Sequence, residues 1–451
     1  PFFQFAGRFS LSAFCWDIFY LYDSLNKITG QNYKPFNYYG SATATKVIVA
    51  MGSVCETIKE TVDYLTKKGH NVGLLEVHLY RPFSAKHFLR VLPKTVKKIA
   101  VLDRTKEAGA SGEPLYLDVL KTVKDVNDKI RVFGGRYGLS SKNTTPAMIK
   151  GVFDFLDVKE CHTNFTVGID DDVTNLSIKY DPKFKLPTTN TGFLIYGYGS
   201  DGMVSASKDL MKITGTYTNA YVQGYFKYDS KKSGGVTISN LRFGKNPIKS
   251  TYYVEKAKLI VCTKDSYLQK MHILDSIDNN GIFLLNTKKD KNQILKYLTN
   301  YDKNILKKRN VKFYIVDASL IAKENGIDGK ISTIMETLIF KLGKIIDFDF
   351  ALKQIKDNIA LRFKNKGDDV VKRNILSVDS CVNKYEQVKI PDVTYVPEMK
   401  GDLDTFEVIE QMEGNSLPVS KFLNSSDGSL EAGTSKREKR NISDTCPHYD
   451  P

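Results

Sequence analysis

Residues 192–213 read GFLIYGYGSDGMVSASKDLMKI, an apolar run that passes through glycines into a second periodic run. Phe193, Leu194, Ile195 and Tyr196 have strand composition. Met203, Val204, Ala206, Leu210, Met211 and Ile213 follow at mostly helical spacing, so the glycines lie where a strand feeds a helix. Gly197, Gly199 and Gly202 form G-x-G-x-x-G there, with Ser200 inside the turn. Glycine lets a backbone approach a phosphate, and the unpaired N–H groups and positive dipole end of the following helix favour an anion.

A site for NAD usually places an acidic residue at the end of the second strand, where it holds the ribose diol. Here the second strand is expected over Ala220–Gly224, and Asp229, Ser230, Lys231, Lys232, Ser233, Gly234 and Gly235 follow it. Two lysines beside serine and glycine suit a further phosphate better than a bare diol. The pattern points to a phosphorylated adenosine, as in coenzyme A or NADP, ahead of NAD. The structural alternative is a strand, turn and helix that need glycine for packing, with both lysines on a solvated turn.

The alternation extends outward in both directions. Upstream, strands are expected at Val47–Met51, Asn71–Val77, Lys98–Leu102 and from Arg131, with helices at Cys55–Leu65, Ser84–Leu92, Leu115–Val123 and from Pro146 to Phe155. Downstream, strands are expected at Leu259–Cys262, Gly281–Leu285 and Val311–Val316, and helices at Ile331–Ile346 and Phe350–Phe363. The fold class is therefore α/β: two consecutive open, mostly parallel sheet domains with crossover helices, followed by a polar connector. Expected boundaries are 1–42 for the end of a preceding domain or a divergent leader, 43–160 for the first α/β domain, 161–190 for a linker, 191–375 for the second and 376–451 for the connector.

Composition excludes several function classes. A formal charge of +15 across 451 residues comes mainly from scattered lysine, with no RNA-binding signature or zinc-finger spacing, so nucleic acid is not expected. No apolar run reaches the ~20 residues of a membrane span. Cys15, Cys55, Cys161, Cys262, Cys381 and Cys446 are far apart, which fits reduced thiols in the cytosol, an organelle remaining open. The chain has no Gly-Asp-Gly with a distant Asn for thiamine diphosphate, no P-loop and no nucleophile elbow. Cys446-Pro447 lacks the C-x-x-C-x-x-C that would precede it in an iron–sulfur motif, so no catalytic or metal residue is assigned.

Five blocks carry a family resemblance: VIVAMGSVCETIKETVDYL from Val47, VGLLEVHLYRPFSAKHFLRVLPKTVKKIAVLDRTKEAGASGEPLYLDV from Val72, GGRYGLSSKNTTPA from Gly134, QGYFKYDSKKSGGVTISNLRFGKNPIKSTY from Gln223 and GTSKREKR from Gly433. They resemble the pyruvate:ferredoxin (flavodoxin) oxidoreductases and their pyruvate:NADP oxidoreductase fusions, from about Lys34 to Arg440. The resemblance implies an internal fragment: a domain like the transketolase C-terminal domain, then the family's gamma-type domain, then a connector to a truncated ferredoxin-like domain.

That family decarboxylates pyruvate oxidatively to acetyl-CoA and passes electrons through iron–sulfur clusters. For this chain it implies coenzyme A binding at Gly197, Gly199, Ser200, Gly202, Lys231, Lys232 and Ser233, with Asn286 suggested by its place at a strand end. Thiamine diphosphate, Mg and [4Fe–4S] clusters would belong only to the full-length enzyme. Implied partners are the thiamine-diphosphate and ferredoxin-like domains of the same enzyme, a ferredoxin, flavodoxin or NADP reductase domain as electron acceptor, and a second copy in a homodimer. The chain alone is expected to be inactive. A stand-alone, non-catalytic coenzyme A-binding subunit of a split 2-oxoacid oxidoreductase is the alternative, and an NADP-dependent dehydrogenase is a third reading that lacks its catalytic His or Tyr-Lys pattern.

Overall fold

The computed structural model describes residues 20–229, 235–392 and 404–434. They form two compact units, one up to Pro187 with the short returns Lys249–Tyr252 and Pro418–Leu423, the other from Thr188 onward. Each is an α/β unit built on one mostly parallel sheet.

The first sheet has the order β1-β3-β2-β4-β5-β6. Strand β1 (Phe36–Gly40) runs antiparallel to β3, and β2 (Lys46–Met51), β3 (Val72–Val77), β4 (Lys98–Asp103), β5 (Arg131–Arg136) and β6 (Phe165–Thr166) are parallel. Crossovers are α1 (Val54–Lys67), α2 (Ala85–Val91), α3 (Pro114–Lys124) and α4 (Pro146–Phe155). Because successive side chains of a strand point to opposite faces, Ile48 and Ala50 enter one core, under α1 and α4, while Val47 and Val49 enter the other, under α2 and α3. Pro114 and Pro146 each open a helix, where a missing N–H costs nothing, and the Thr145 side chain accepts from Met148 N.

The second sheet has the order β13-β12-β11-β10-β7-β9-β8. Strand β7 (Thr191–Tyr198) leads into α5 (Met203–Tyr217) and then β8 (Tyr221–Tyr228). The position between β7 and β8 is filled by β9 (Val236–Gly244), antiparallel to both. On the other side of β7 lie β10 (Ala257–Cys262), β11 (Ile277–Asn286) and β12 (Lys312–Val316), all parallel to it. Helices α6 (Lys291–Tyr297) and α7 (Asn300–Lys308) cover the face of Ile260, Phe283 and Leu285. On the opposite face, α5 packs with α8 (Ala318–Glu324), α9 (Ser332–Gly343), α10 (Phe348–Phe363) and α11 (Asp368–Cys381) over Phe193 and Ile195. Strand β13 (Glu386–Val388) closes the far edge antiparallel to β12, and α12 (Thr405–Glu410) lies in the connector.

The fold class holds. β1 precedes residue 43 yet pairs with β3 and buries Phe36 to 1% exposure. The expected linker contributes β6 and the fully buried Phe165. Position 375 falls inside α11, whose Cys381 is a core residue. These pieces escape a periodicity reading because they are short or mostly polar, and their burial comes from sheet edges and neighbouring helices.

Candidate functional site

In an open α/β sheet, ligands are met at the carboxyl ends of the strands where the connections change direction. In the second unit that point lies between β7, whose crossover goes to the β8 side, and β10, which begins the other half. The glycine segment 197–202 sits there.

Its geometry is set by an aspartate. Asp201 Oδ1 accepts from Met203 N at 2.9 Å, and Oδ2 accepts from Tyr198 N at 2.7 Å and from Thr263 Oγ1 at 2.8 Å. The carboxylate thus takes the first N–H of α5, one of the donors a phosphate at that terminus would use. Burial raises the Asp201 pKa, against the lowering effect of those three hydrogen bonds. Ser200 and Gly202 have left-handed backbones, with φ of 78° and 84°. A side chain on Gly202 would come within 2.9 Å of Ser332 Oγ, and one on Gly197 within 2.8 Å of Thr237 Oγ1 and 2.9 Å of Met203 Cβ.

Gly199 donates its N–H to Gly235 O at 2.8 Å, and Asp229 N–H donates to Val236 O at 3.1 Å. The first bond ties the base of the β8–β9 hairpin to the glycine segment, and the second joins the two sides of the hairpin to each other. Lys231, Lys232 and Ser233 lie between the two tied ends and fall outside the described residues. Asn286 stands at the same edge, but its amide is committed to the fold: Nδ2 donates to Thr263 O and Oδ1 accepts from Ala318 N, both at 2.9 Å. Gly197, Gly199, Ser200, Gly202 and Asn286 therefore gather at one edge, where Gly199 and Asn286 are bonded to the fold itself.

Residues not singled out in the sequence complete this edge. Lys264 lies over the Tyr198 ring at 4.3 Å. Asp265 accepts from Thr287 Oγ1 at 2.6 Å and from Lys289 Nζ at 2.7 Å. Asp201 had a readable signal, an acid one residue before the glycine that opens a helix, whereas Thr263 and Lys264 are brought in only by strand order. The first unit's carboxyl edge is differently built. Asp103 accepts from Leu115 N and Tyr116 N, both at 3.1 Å, and Arg136 faces Glu113 at 3.8 Å, beyond hydrogen-bond reach.

Among the described residues no group of three or more His, Cys, Asp or Glu converges as a metal site. The Cys262 and Cys381 thiols are pushed up to about 12, chiefly by burial, which leaves them protonated and unreactive at neutral pH. The described side chains fit neither an iron–sulfur cluster nor the metal of thiamine diphosphate. No helix among the described residues is long and apolar enough to cross a membrane.

Residues 192–383 match the family model described as pyruvate ferredoxin/flavodoxin oxidoreductase, and residues 44–147 match pyruvate:ferredoxin oxidoreductase core domain II. The chain belongs to the pyruvate ferredoxin/flavodoxin oxidoreductase family. Residues 404–443 match a domain of unknown function. The pyruvate:ferredoxin oxidoreductase of Moorella thermoacetica is 45% identical over 439 residues, covering 94% of this chain and 37% of that protein. The pyruvate-flavodoxin oxidoreductase of Trichormus variabilis is 42% identical over 446 residues, with 95% and 37% covered. The chain thus spans 37% of the length of these curated relatives. Among solved structures, a pyruvate oxidoreductase subunit from Thermotoga maritima is 21% identical, with a TM-score of 0.37, over 45% of this chain and all of that one.

Proposed function

We propose that this chain supplies a coenzyme A-binding surface, and surfaces for contact with further domains, to an enzyme that oxidatively decarboxylates pyruvate to acetyl-CoA. The electrons would leave through iron–sulfur clusters to a ferredoxin, a flavodoxin or an NADP reductase domain. The observation that carries this reading is the bond from Gly199 N–H to Gly235 O, which fixes one end of the Lys231–Lys232 segment beside the glycine turn. Asp201 already accepts from the first N–H of the helix, so the reading assigns phosphate binding chiefly to the lysine segment, with glycine setting the turn. A lysine pair that follows Asp229 and precedes Gly235 in sequence suits a 3′-phosphate in addition to a diphosphate.

No redox step is assigned to the described residues, none of which form a metal-binding group, and the chain alone is proposed to be inactive. A soluble setting in the cytosol or an organelle, and a homodimer in the whole enzyme, belong to the same reading.

Calorimetric titration of the 451-residue chain tests it. Coenzyme A should bind more tightly than dephospho-coenzyme A or NADP, and the double variant Lys231→Ala/Lys232→Ala should weaken coenzyme A about tenfold to a hundredfold. Unchanged affinity in that variant, or a preference for NADP, would reject the assignment. The inactivity is tested by assaying the same protein for coenzyme A-dependent pyruvate decarboxylation, where any turnover above background counts against it.

A further inference from the structure

The second sheet ends in the order β7-β9-β8, so β8 is an edge with no further strand beside it among the described residues. Its eight residues pair with β9 in an unbroken antiparallel register, and none of them is proline. The other sheet edges are blunted by their shortness: β13 has three residues, β6 two and β1 five. A long, regular edge is a template for one more strand.

Two hydrogen bonds fix which backbone groups of β8 face outward. In an antiparallel ladder, residues that exchange bonds with the neighbour alternate with residues that do not. Gly199 N–H donates to Gly235 O at the end of the β7–β9 ladder, and Asp229 N–H donates to Val236 O at the end of the β8–β9 ladder. Odd-numbered residues of β9 therefore bond to β7 and even-numbered ones to β8, which commits Tyr221, Gln223, Tyr225 and Lys227 to β9. Val222, Gly224, Phe226 and Tyr228 turn their N–H and C=O groups to the open edge, where Gly224 is exposed.

β8 is complementary to itself. With two copies antiparallel about a two-fold axis at Tyr225, Val222 faces Tyr228 of the second copy and Gly224 faces its Phe226. This register alone engages all four outward residues of both strands, and it sets an aromatic ring beside the bare backbone of the glycine. On the other face Tyr225 meets its own counterpart on the axis, Gln223 meets Lys227 and Tyr221 meets Asp229, so no like charges stand opposite each other. Tyr221, Tyr225 and Tyr228 are 48%, 45% and 57% exposed, and pairing covers their rings. We propose that β8 joins β8 of a second copy of this chain and continues the sheet across that axis. The proposal rests on the homodimer of the reading above, to which it gives a surface, and it requires no coenzyme A.

The test is sedimentation of the whole chain across the micromolar range, followed by cross-linking. The wild type should sediment as a dimer, and Tyr225→Lys, which sets two lysines face to face on the axis, should weaken the dimer about tenfold or more. In the proposed register the two Tyr225 Cα atoms lie about 4.5 Å apart, within reach of a disulfide, whereas the two Tyr221 positions lie about 27 Å apart. Under mild oxidation with diamide, Tyr225→Cys should give a covalent dimer and Tyr221→Cys should not, with the wild type setting the background from its own cysteines. Circular dichroism confirms that each variant folds; if Tyr225→Lys does not, the contrast between the two cysteine variants still decides. A monomeric wild type, or an undiminished dimer in folded Tyr225→Lys, would overturn the proposal. A dimer that Tyr225→Cys does not cross-link, or that Tyr221→Cys cross-links equally, would overturn the β8 pairing and leave the homodimer itself standing on another surface.

Discussion

The first parallel strand of each unit runs into a glycine turn and then a helix, yet the two turns are held differently. After β2, Gly52 adopts φ 79° with nothing within 4 Å of where a side chain would stand. After β7, Gly202 adopts φ 84° against Ser332, and Gly197 is enclosed by Thr237, Met203 and Asp201. The first glycine answers only a backbone demand. Those of the second unit also answer a packing demand, and a strand-end aspartate completes the turn from inside. A glycine motif therefore carries two messages that the motif alone does not separate: close approach of a ligand, and close approach of the protein's own side chains.

The largest effect should follow from breaking the inner support of the second turn. Asp201→Ala leaves Met203 N, Tyr198 N and the Thr263 hydroxyl without their acceptor and should cost about 3 kcal/mol in chemical denaturation. Asp103→Ala in the first unit frees two N–H groups and should cost about 2 kcal/mol. Equal losses would mean that the third bond to Asp201 carries no weight.

Next come two buried glutamates whose pH responses have opposite sign. Glu76 in β3 meets Lys59 at 3.0 Å and His78 at 3.4 Å. Burial raises its pKa, but these partners outweigh burial and hold it below the ordinary 4.5. Its contribution is present above 4.5 and is lost as pH falls toward its lowered value. Glu336 in α9 is raised well above 4.5, first by burial and then by Asp209, with Arg362 opposing. Folding then favours the protonated acid, so this contribution is full below 4.5 and is lost as pH rises through its raised value. Glu336→Gln should stabilise the protein at pH 8 by about 1–2 kcal/mol relative to wild type and flatten its alkaline decline. Glu76→Gln should flatten the acid limb instead. A pH profile unchanged by Glu336→Gln would show that this side chain does not titrate across the range.

The smallest contrast is in the glycines themselves. Gly197→Ala must push against Thr237 and Met203 and should cost about 2 kcal/mol, whereas Gly52→Ala meets only its left-handed backbone, about 1 kcal/mol. Matching losses would remove the packing role assigned to the second turn.

Strands with a continuous apolar run, such as Ile48–Ala50 and Phe193–Ile195, are legible in the sequence because both faces of a parallel sheet must be filled. β9 is not, since Ser239, Asn240 and Arg242 interrupt its apolar residues and become buried through partners supplied elsewhere in the fold. Asn240, for instance, accepts from Val254 N. At the candidate site, the spacing of Gly197, Gly199 and Gly202 locates the turn. It does not reveal that Asp201 accepts from the first N–H of the helix, because an acid and a phosphate can satisfy the same N–H group. Nor does the place of Asn286 at a strand end show that both ends of its amide are spent on joining β11 to Thr263 and to the start of α8.

The insertion of β9 between β7 and β8 separates order in space from order along the chain. β7 and β8 lie two strand spacings apart, about 9–10 Å, so the helix joining them spans a slot that only a later segment fills. The base of the hairpin is consequently held by Gly199 and by its own closing pair, Asp229 and Val236. Changes in loop length between Asp229 and Gly235 can thus alter reach and charge at the edge without shifting the register of any strand.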